Sequence, residues 1–128
     1  MADNSGTITA STGTLNIPSG SGSERLRRVT VHDLNAGWQD DVISGVAGHI
    51  YTIISIIFAA RVNTTGNIEI RVNNCTHNVS ILGSEAVGGY GTFVFNDKFV
   101  LEEDDDLDVY NEHTNGDWWV SYIDQDWT

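Results

Sequence analysis

Short apolar segments alternate with turn-forming residues from Arg25 to the end of the chain, at a spacing of roughly eight to twelve residues. Apolar positions recur at every second residue, as at Ile68, Ile70 and Val72, which is the period of a half-buried β-strand. Residues 49–62 form a longer run rich in isoleucine, which favours a long, well buried strand. The pattern predicts an all-β fold, an antiparallel, jelly-roll-like β-sandwich of about eight strands.

Turn residues set the limits of the other predicted strands. The segments at residues 63–67 (NTTGN) and 115–116 (Asn-Gly) are hairpin signals, and residues 83–91 predict a glycine-rich loop. The remaining strands are predicted at residues 25–34, 41–44, 68–72, 79–82, 92–95, 98–101, 107–109 and 118–123.

The N-terminal residues 1–23 differ in composition from the rest of the chain. They are almost entirely Ala, Ser, Thr, Gly and Asn, and Ile8, Leu15 and Ile17 are their apolar anchors. We therefore predict an extended N-terminal arm at residues 1–23, followed by a β-sandwich domain at residues 24–128. So few apolar residues cannot form a core, and we expect the arm to be held by its own domain, a neighbouring subunit or a large assembly.

The charge of the chain excludes several classes of partner. Six basic residues stand against 18 acidic ones, a formal net charge of −12. This balance argues against nucleic acid and against an anionic membrane as partners, because both require clustered Lys and Arg. The single cysteine, Cys75, cannot form an intrachain disulfide. The segment Met1 to Thr14 lacks the basic start and apolar run of a secretory signal, so we expect synthesis in a reducing cytoplasm.

Motifs that would indicate catalysis are missing from the sequence. The four histidines have no zinc-ligand spacing, and neither a nucleophile elbow nor a phosphate-binding loop is present. We predict that the chain is not an enzyme and has no cofactor, metal site or catalytic residue. The acidic stretch Glu102–Asp106 leaves three interpretations open: a solvated turn, an intersubunit salt contact with the Arg25–Arg28 segment, and a calcium site.

Four tryptophans are many for a chain of this size. Adjacent strand residues face opposite ways, so Trp118 and Trp119 cannot both lie in the core. Exposed tryptophans mark contact surfaces, and subunit contact, core packing and sugar stacking all stay open for them. The predicted interface residues are Ile8, Leu15, Ile17, Arg25, Arg27, Arg28, Trp38, Trp119 and Trp127.

Two long segments resemble a known family. The run DVISGVAGHIYTIISIIFAARVNTTGNIEIRVN, residues 41–73, resembles the pattern of small β-sandwich virion proteins of tailed bacteriophages. The run GTFVFNDKFVLEEDDDLDVYNEHTNGDWWVSYID, residues 91–124, is similar to their closing segment. The sequence has Asp104-Asp105-Asp106 where a Gly-Asp turn is usual in that family.

The resemblance implies a structural component of a virion. Such proteins serve as capsid decoration or cement proteins, and as neck, tail or fibre components. We expect a capsid decoration protein that binds the major capsid protein and itself, as a homotrimer, and that is synthesised in the host cytoplasm before it joins the virion. A neck, tail or fibre component is the alternative within this class, and a carbohydrate-binding module is the alternative outside it.

Overall fold

A computed structural model describes residues 23–128. The predicted arm therefore lies outside the described residues except for Ser23, and so do Ile8, Leu15 and Ile17. Nine strands make up the regular structure of the described part: β1 (Ser23–Leu34), β2 (Gly37–Ser44), β3 (His49–Ala60), β4 (Gly66–Asn73), β5 (Asn78–Val87), β6 (Thr92–Phe95), β7 (Phe99–Leu101), β8 (Asp106–Asn111) and β9 (Gly116–Asp126).

The strands form two antiparallel sheets. The first sheet has the order β1-β9-β3-β6, and β7 also pairs with β3, so β6 and β7 together fill one position. The second sheet has the order β2-β8-β4-β5. The chain passes back and forth between the two sheets, and its last strands, β8 and β9, insert between earlier ones. This is the topology of a jelly roll, and it confirms the predicted all-β sandwich.

The two predicted hairpins are wrong. Residues 63–65 belong to the link between β3 and β4, and Asn115 precedes Gly116, the first residue of β9; the two strands that each link joins belong to opposite sheets. Turn residues specify that the chain reverses, whereas the sheet it then joins depends on pairing with distant strands. Asn74–His77 instead forms a hairpin connection within one sheet, and the Asn74 side chain accepts the His77 N–H at 2.7 Å.

The predicted glycine-rich loop at residues 83–91 is too long, because β5 continues to Val87. The register between β4 and β5 shifts so that Gly83 and Ser84 together stand opposite Glu69. A glycine within such a bulge lets the strand bend and then resume its pairing. The composition of this segment is that of a loop, but its pairing with β4 makes most of it a strand.

The core lies between the two sheets and is filled by alternate residues of each strand. Ile53, Phe58 and Val120 from the first sheet, and Ile68 and Ile70 from the second, are among its fully buried members. Burial of each such side chain contributes about 1.5–3 kcal/mol, so this layer is the main source of stability. The long buried strand predicted at residues 49–62 is confirmed as β3.

Trp118 also lies in the core, where its ring needs a hydrogen-bond partner. Its Nε1 donates to Asn111 Oδ1 at 3.0 Å, and Asn111 Nδ2 donates to the His113 carbonyl at 2.9 Å. The buried indole N–H is therefore satisfied. Among residues 23–128 no helix is long and apolar enough to cross a membrane.

Candidate assembly surface

The outer face of the first sheet contains two rows of apolar residues, although it points away from the core. Trp119 is 41% exposed, while its neighbour Trp118 is buried, as the strand period predicts. Trp119 stands opposite Thr30 of β1 and Ile57 of β3, and Ile57 in turn stands opposite Val94 of β6. This row crosses the whole width of the sheet.

A second row lies nearer the other end of the same face. Leu26 of β1 stands opposite Ile123 of β9, and Thr52 of β3 separates Ile123 from Val100 of β7. Leu26 is 74% exposed and Val100 is 49% exposed. The two rows together form what we call the apolar face, which consists of Leu26, Ile57, Val94, Val100, Trp119 and Ile123.

A groove runs along β1 and β9 across this face. It consists of three adjoining depressions of about 300, 310 and 420 Å³. The first two share Leu26, and the second and third share Arg28 and Trp119. The Arg28 guanidinium lies 4.5 Å from the centre of the Trp119 ring, and Trp119 Nε1 donates to Ser121 Oγ at 3.2 Å. The groove thus has more apolar than polar surface, although Arg25 and Arg27 also line it, and the cation of Arg28 lies beside its aromatic residue.

The outer face of the second sheet is different, because its polar and aromatic side chains contact one another. Asp108 is buried, accepts the Asp41 backbone N–H at 2.9 Å, and accepts Arg71 Nε at 3.0 Å. Arg71 also lies 3.7 Å from the centre of the Trp38 ring, and Trp38 packs against Tyr110 at 5.1 Å. Trp38 therefore contacts its own chain and does not lie on the surface that contains Trp119.

The three predicted interface arginines have different surroundings. Arg28 lies on the apolar face, as described. Arg27 Nη1 pairs with Asp124 Oδ2 at 3.2 Å, and the buried Asp124 also contacts His49 Nδ1 at 2.7 Å. Arg25 is exposed and stands opposite Asp124 in the register. Arg25 and Arg28 thus present positive charge at the surface, whereas Arg27 is paired within the chain.

The end of the chain lies beside the β2–β3 turn. Trp127 is 54% exposed, and its backbone N–H donates to the Gly48 carbonyl at 2.7 Å. Two hydrogen bonds from Thr128 lower the pKa of Asp126, and the bond from its hydroxyl has a larger effect than the bond from its backbone N–H. Trp127 follows β9 and lies outside the two rows of the apolar face, so the structure does not bring it together with Trp119.

The acidic stretch forms a turn with its own hydrogen bonds. Asp105 Oδ2 accepts the Glu102 N–H at 2.9 Å, and the Asp105 carbonyl accepts the Gly45 N–H at 2.7 Å. Asp104 has a φ of 74°, in the left-handed region that favours glycine. Asp104 therefore takes the conformation expected of the glycine in a Gly-Asp turn. These bonds agree with the interpretation as a turn, and the intersubunit salt contact stays a prediction.

Neighbouring carboxylates raise the pKa of Asp41 in β2. The charge of Asp106 above all, then burial and the charge of Asp108, raise the pKa of Asp41. Asp41 sits at a register shift in β2, with a φ of 59°.

Within residues 23–128, one group of side chains is close enough to share a cation: His32, Asp33 and Asp117. Arg61 already forms ion pairs with both carboxylates, through Nη1 to Asp33 and through Nε to Asp117 at 3.7 Å. The His32 ring lies 3.1 Å from Asp117. The group is thus a network of ion pairs that joins the end of β1 to the start of β9.

Sequence analysis identified Trp119 and Arg28 but missed the residues around them, namely Leu26, Ile57, Val94, Val100 and Ile123. A signal for some of them was present in β3, where both the inward and the outward positions include isoleucine, as at Ile56 and Ile57. A strand with one solvated face alternates apolar and polar residues. The apolar outward positions of β3 therefore indicated a second contact surface.

Comparison with known proteins gives similarity of fold alone. No family model matches the sequence, and no curated protein matches it. A protein from Bacillus endospore appendages, which form a novel family of disulfide-linked pili, is 12% identical with a TM-score of 0.53; the match covers 91% of this chain and 100% of that one. At this identity the likeness shows a shared fold.

Two further solved structures have lower scores. The Drosophila NLP-core, studied for pentamer formation and histone binding, is 15% identical with a TM-score of 0.47, covering 79% of this chain and 95% of that one. A chain of the T13 IBDV viral particle is 7% identical with a TM-score of 0.46, and the match covers 94% of this chain and 39% of that one. Neither carries an argument about function, and the resemblance to tailed-phage proteins stays a prediction.

Proposed function

We propose that the chain is a non-enzymatic structural subunit that binds other subunits through the apolar face of its first sheet. The observation that supports this function is the apolar face itself. Leu26, Trp119, Val94 and Val100 are each more than two fifths exposed and lie in two rows across one sheet. Several exposed apolar side chains on one face mark a site of protein contact, because their burial is favourable and their exposure promotes aggregation.

The resemblance of the sequence to tailed-phage virion proteins favours one location. We propose a capsid decoration or cement protein, which stabilises the head of the virion by binding neighbouring major capsid subunits, and which associates as a homotrimer. The apolar face would then be covered by neighbouring subunits. The strongly acidic remainder of the surface keeps the free subunit soluble before assembly.

The contact has two further components in this proposal. Residues 1–23 lie along neighbouring subunits, with Ile8, Leu15 and Ile17 as anchors, and add backbone hydrogen bonds of the kind that an added strand makes. Arg25 and Arg28 provide positive charge at the edge of the apolar face. An acidic partner surface, such as the Glu102–Asp106 turn of a neighbouring copy, complements that charge.

The number of copies per virion tests this location. Particles are purified from a culture that produces the chain, and its copies are counted by mass spectrometry with isotope-labelled peptide standards. A decoration protein is present at on the order of hundreds of copies, whereas a ring in the neck or tail has about six or twelve. Absence of the chain from purified particles would refute a structural role in the virion.

A carbohydrate-binding module is the second candidate, because Trp119 lines the depression of about 420 Å³ together with Arg28, His32 and Asp117. Indole rings stack on sugars, and planar polar side chains bind hydroxyl groups. A glycan array with the full chain and with the variant Trp119→Ala separates the two functions. Binding of one glycan that the substitution abolishes would favour the module, and absence of any binding would remove it.

A further inference from the structure

We infer that the groove along β1 and β9 binds residues 1–22 of a second copy of this chain. This inference rests on the proposed function, that the chain is a subunit of an assembly, and it names the segment that covers part of the apolar face. Three properties support it: the shape of the groove, the point at which the N-terminal segment joins the sheet, and the chemistry of that segment.

The groove has the size of an extended peptide. It runs from Glu24 and Leu26 at one end to Thr30 and Ile57 at the other. Six residue steps along β1 correspond to about 20 Å. The shared lining residues Leu26 and Trp119 make the three depressions continuous along this length. A linear row of depressions of this length fits an extended segment.

The N-terminal segment joins the sandwich at the same place. It enters β1 at Ser23, which pairs with Asp126 at the end of the first sheet. An extended chain of 22 residues reaches about 70 Å, whereas a domain of this size is about 35 Å across. The direction of β1 leads an extended segment away from its own groove, which begins just beyond Ser23. An extended segment would have to reverse its direction to bind its own groove, whereas binding to a second copy requires no reversal.

The composition of the segment matches an apolar groove. Residues 1–22 contain Asp3 as their one charged side chain, and Ile8, Leu15 and Ile17 as apolar anchors. Leu15 and Ile17 are two residues apart, so an extended backbone places them on one side. These side chains match Leu26 and Trp119 of the groove in character.

Electrostatics disfavour the sandwich of a second copy as the occupant. The chain has 18 acidic and six basic residues, and residues 1–22 contain one of the acidic residues and none of the basic ones. Residues 23–128 therefore carry 6 − 17 = −11 charges. Two such domains repel each other when they stack face to face, because both have a large negative net charge. The N-terminal segment brings a single negative charge.

The free edge of β1 provides hydrogen bonds for the same segment. Among the described residues β1 pairs with β9 alone, so one side of β1 has backbone groups open to an added strand. A part of the segment that lies beside this edge gains backbone hydrogen bonds, and the part that lies in the groove gains apolar contact with Leu26 and Trp119.

Photo-crosslinking of the full chain tests the inference. p-Benzoyl-phenylalanine replaces Leu26, which lies in two of the depressions and is 74% exposed. As a control it replaces Tyr90, which is 69% exposed and lies in the loop after β5. Chains labelled with ¹⁴N and with ¹⁵N are mixed before irradiation, and crosslinked peptides are identified by mass spectrometry.

We expect crosslinks from position 26 to peptides within residues 1–22, in mixed-isotope pairs. Combined substitution Ile8→Ser, Leu15→Ser and Ile17→Ser lowers their yield by about tenfold or more, which corresponds to about 1.4 kcal/mol of lost affinity. The matched control Thr7→Ser, Thr9→Ser and Thr14→Ser leaves the yield unchanged. Circular dichroism and the melting temperature of both variants check that the fold of residues 23–128 is retained.

Three results would overturn the inference. Crosslinks from position 26 to the sandwich of another chain would mean that two domains stack face to face. Crosslinks to residues 1–22 in pairs of a single isotope only would mean that each chain covers its own groove. A yield at position 26 no higher than at position 90 would mean that the segment does not bind there. In each case a high copy number in virions would still support the proposed function, so the two ideas fail separately.

Discussion

Removal of the buried Asp108 carboxylate is predicted to cause a large electrostatic loss of stability. The carboxylate accepts two hydrogen bonds, one from the Asp41 backbone N–H and one from Arg71. Hydrogen bonds to charged groups contribute about 1.5–3 kcal/mol each, and removal of one partner of a buried pair costs about 3–5 kcal/mol. The Arg71 side chain is 25% exposed, so water recovers part of that loss.

We therefore expect Asp108→Ala to lower the free energy of unfolding by about 3 kcal/mol. At about 4 °C per kcal/mol for a domain of this size, the melting temperature falls by about 12 °C. Urea denaturation at pH 7, followed by tryptophan fluorescence, measures the change. The matched control is Asp106→Ala, which removes a carboxylate two residues away on the same face of β8 and relieves repulsion of Asp41.

A double-mutant cycle with Arg71→Met tests the reasoning further. The two single substitutions remove the same ion pair, so their effects should be less than additive by about 1 kcal/mol or more. Additive effects, or a loss at Asp108 no larger than at Asp106, would refute the view that this pair stabilises the second sheet.

Three further substitutions test local features of the fold. Neighbouring charges, Asp106 first, raise the pKa of Asp41, so its charged form destabilises the folded state. Asp41→Asn should therefore be more stable than the unsubstituted protein at pH 7. This difference in stability should disappear as the pH falls toward 3.8. Asp104→Gly should raise the free energy of unfolding by about 0.5–1 kcal/mol, because φ is 74° there. Gly116→Ala should cost about 2–3 kcal/mol, because the new Cβ would lie 2.5 Å from the buried Phe58 ring. Urea titrations give all three values, with a pH series for the first.

Each of these predictions has a result that contradicts it. A stability difference for Asp41→Asn that grows as the pH falls would mean that the carboxylate is stabilising when charged. A loss of stability in Asp104→Gly would show that the aspartate side chain makes a contact that outweighs its backbone strain. Gly88→Ala, whose new Cβ has no atom within 4 Å, is the control for Gly116→Ala. Equal effects at the two glycines would refute the packing argument.

The sequence period was enough to predict the sandwich, because the alternation of apolar residues in a strand indicates which of them face the core. The alternation at Ile68, Ile70 and Val72 is reproduced in the burial of β4. The period does not record which strands pair. That choice depends on contacts between distant segments, and it is the reason why the link at residues 63–67 was predicted as a hairpin.

The same limit applies to the candidate site. Trp38 and Trp119 both lie on outward strand positions, and the sequence does not reveal that they belong to opposite sheets. Pairing of β9 with β1 and β3 brings Leu26 and Ile57 onto the same face as Trp119 from distant positions in the chain. The arm at residues 1–23 stays a prediction from composition, and the groove proposed to bind it depends on the pairing of β1 with β9, which the composition does not indicate.

The exposure of Trp119 before and after assembly tests the central claim most directly. Hydroxyl-radical footprinting compares the oxidation rate of Trp119 in the free chain and in purified particles that contain it, with Tyr90 as the internal reference because it is 69% exposed. If the apolar face is a contact between subunits, the oxidation of Trp119 should slow by about tenfold in the particles while that of Tyr90 changes little. Equal oxidation of Trp119 in both states would contradict the account.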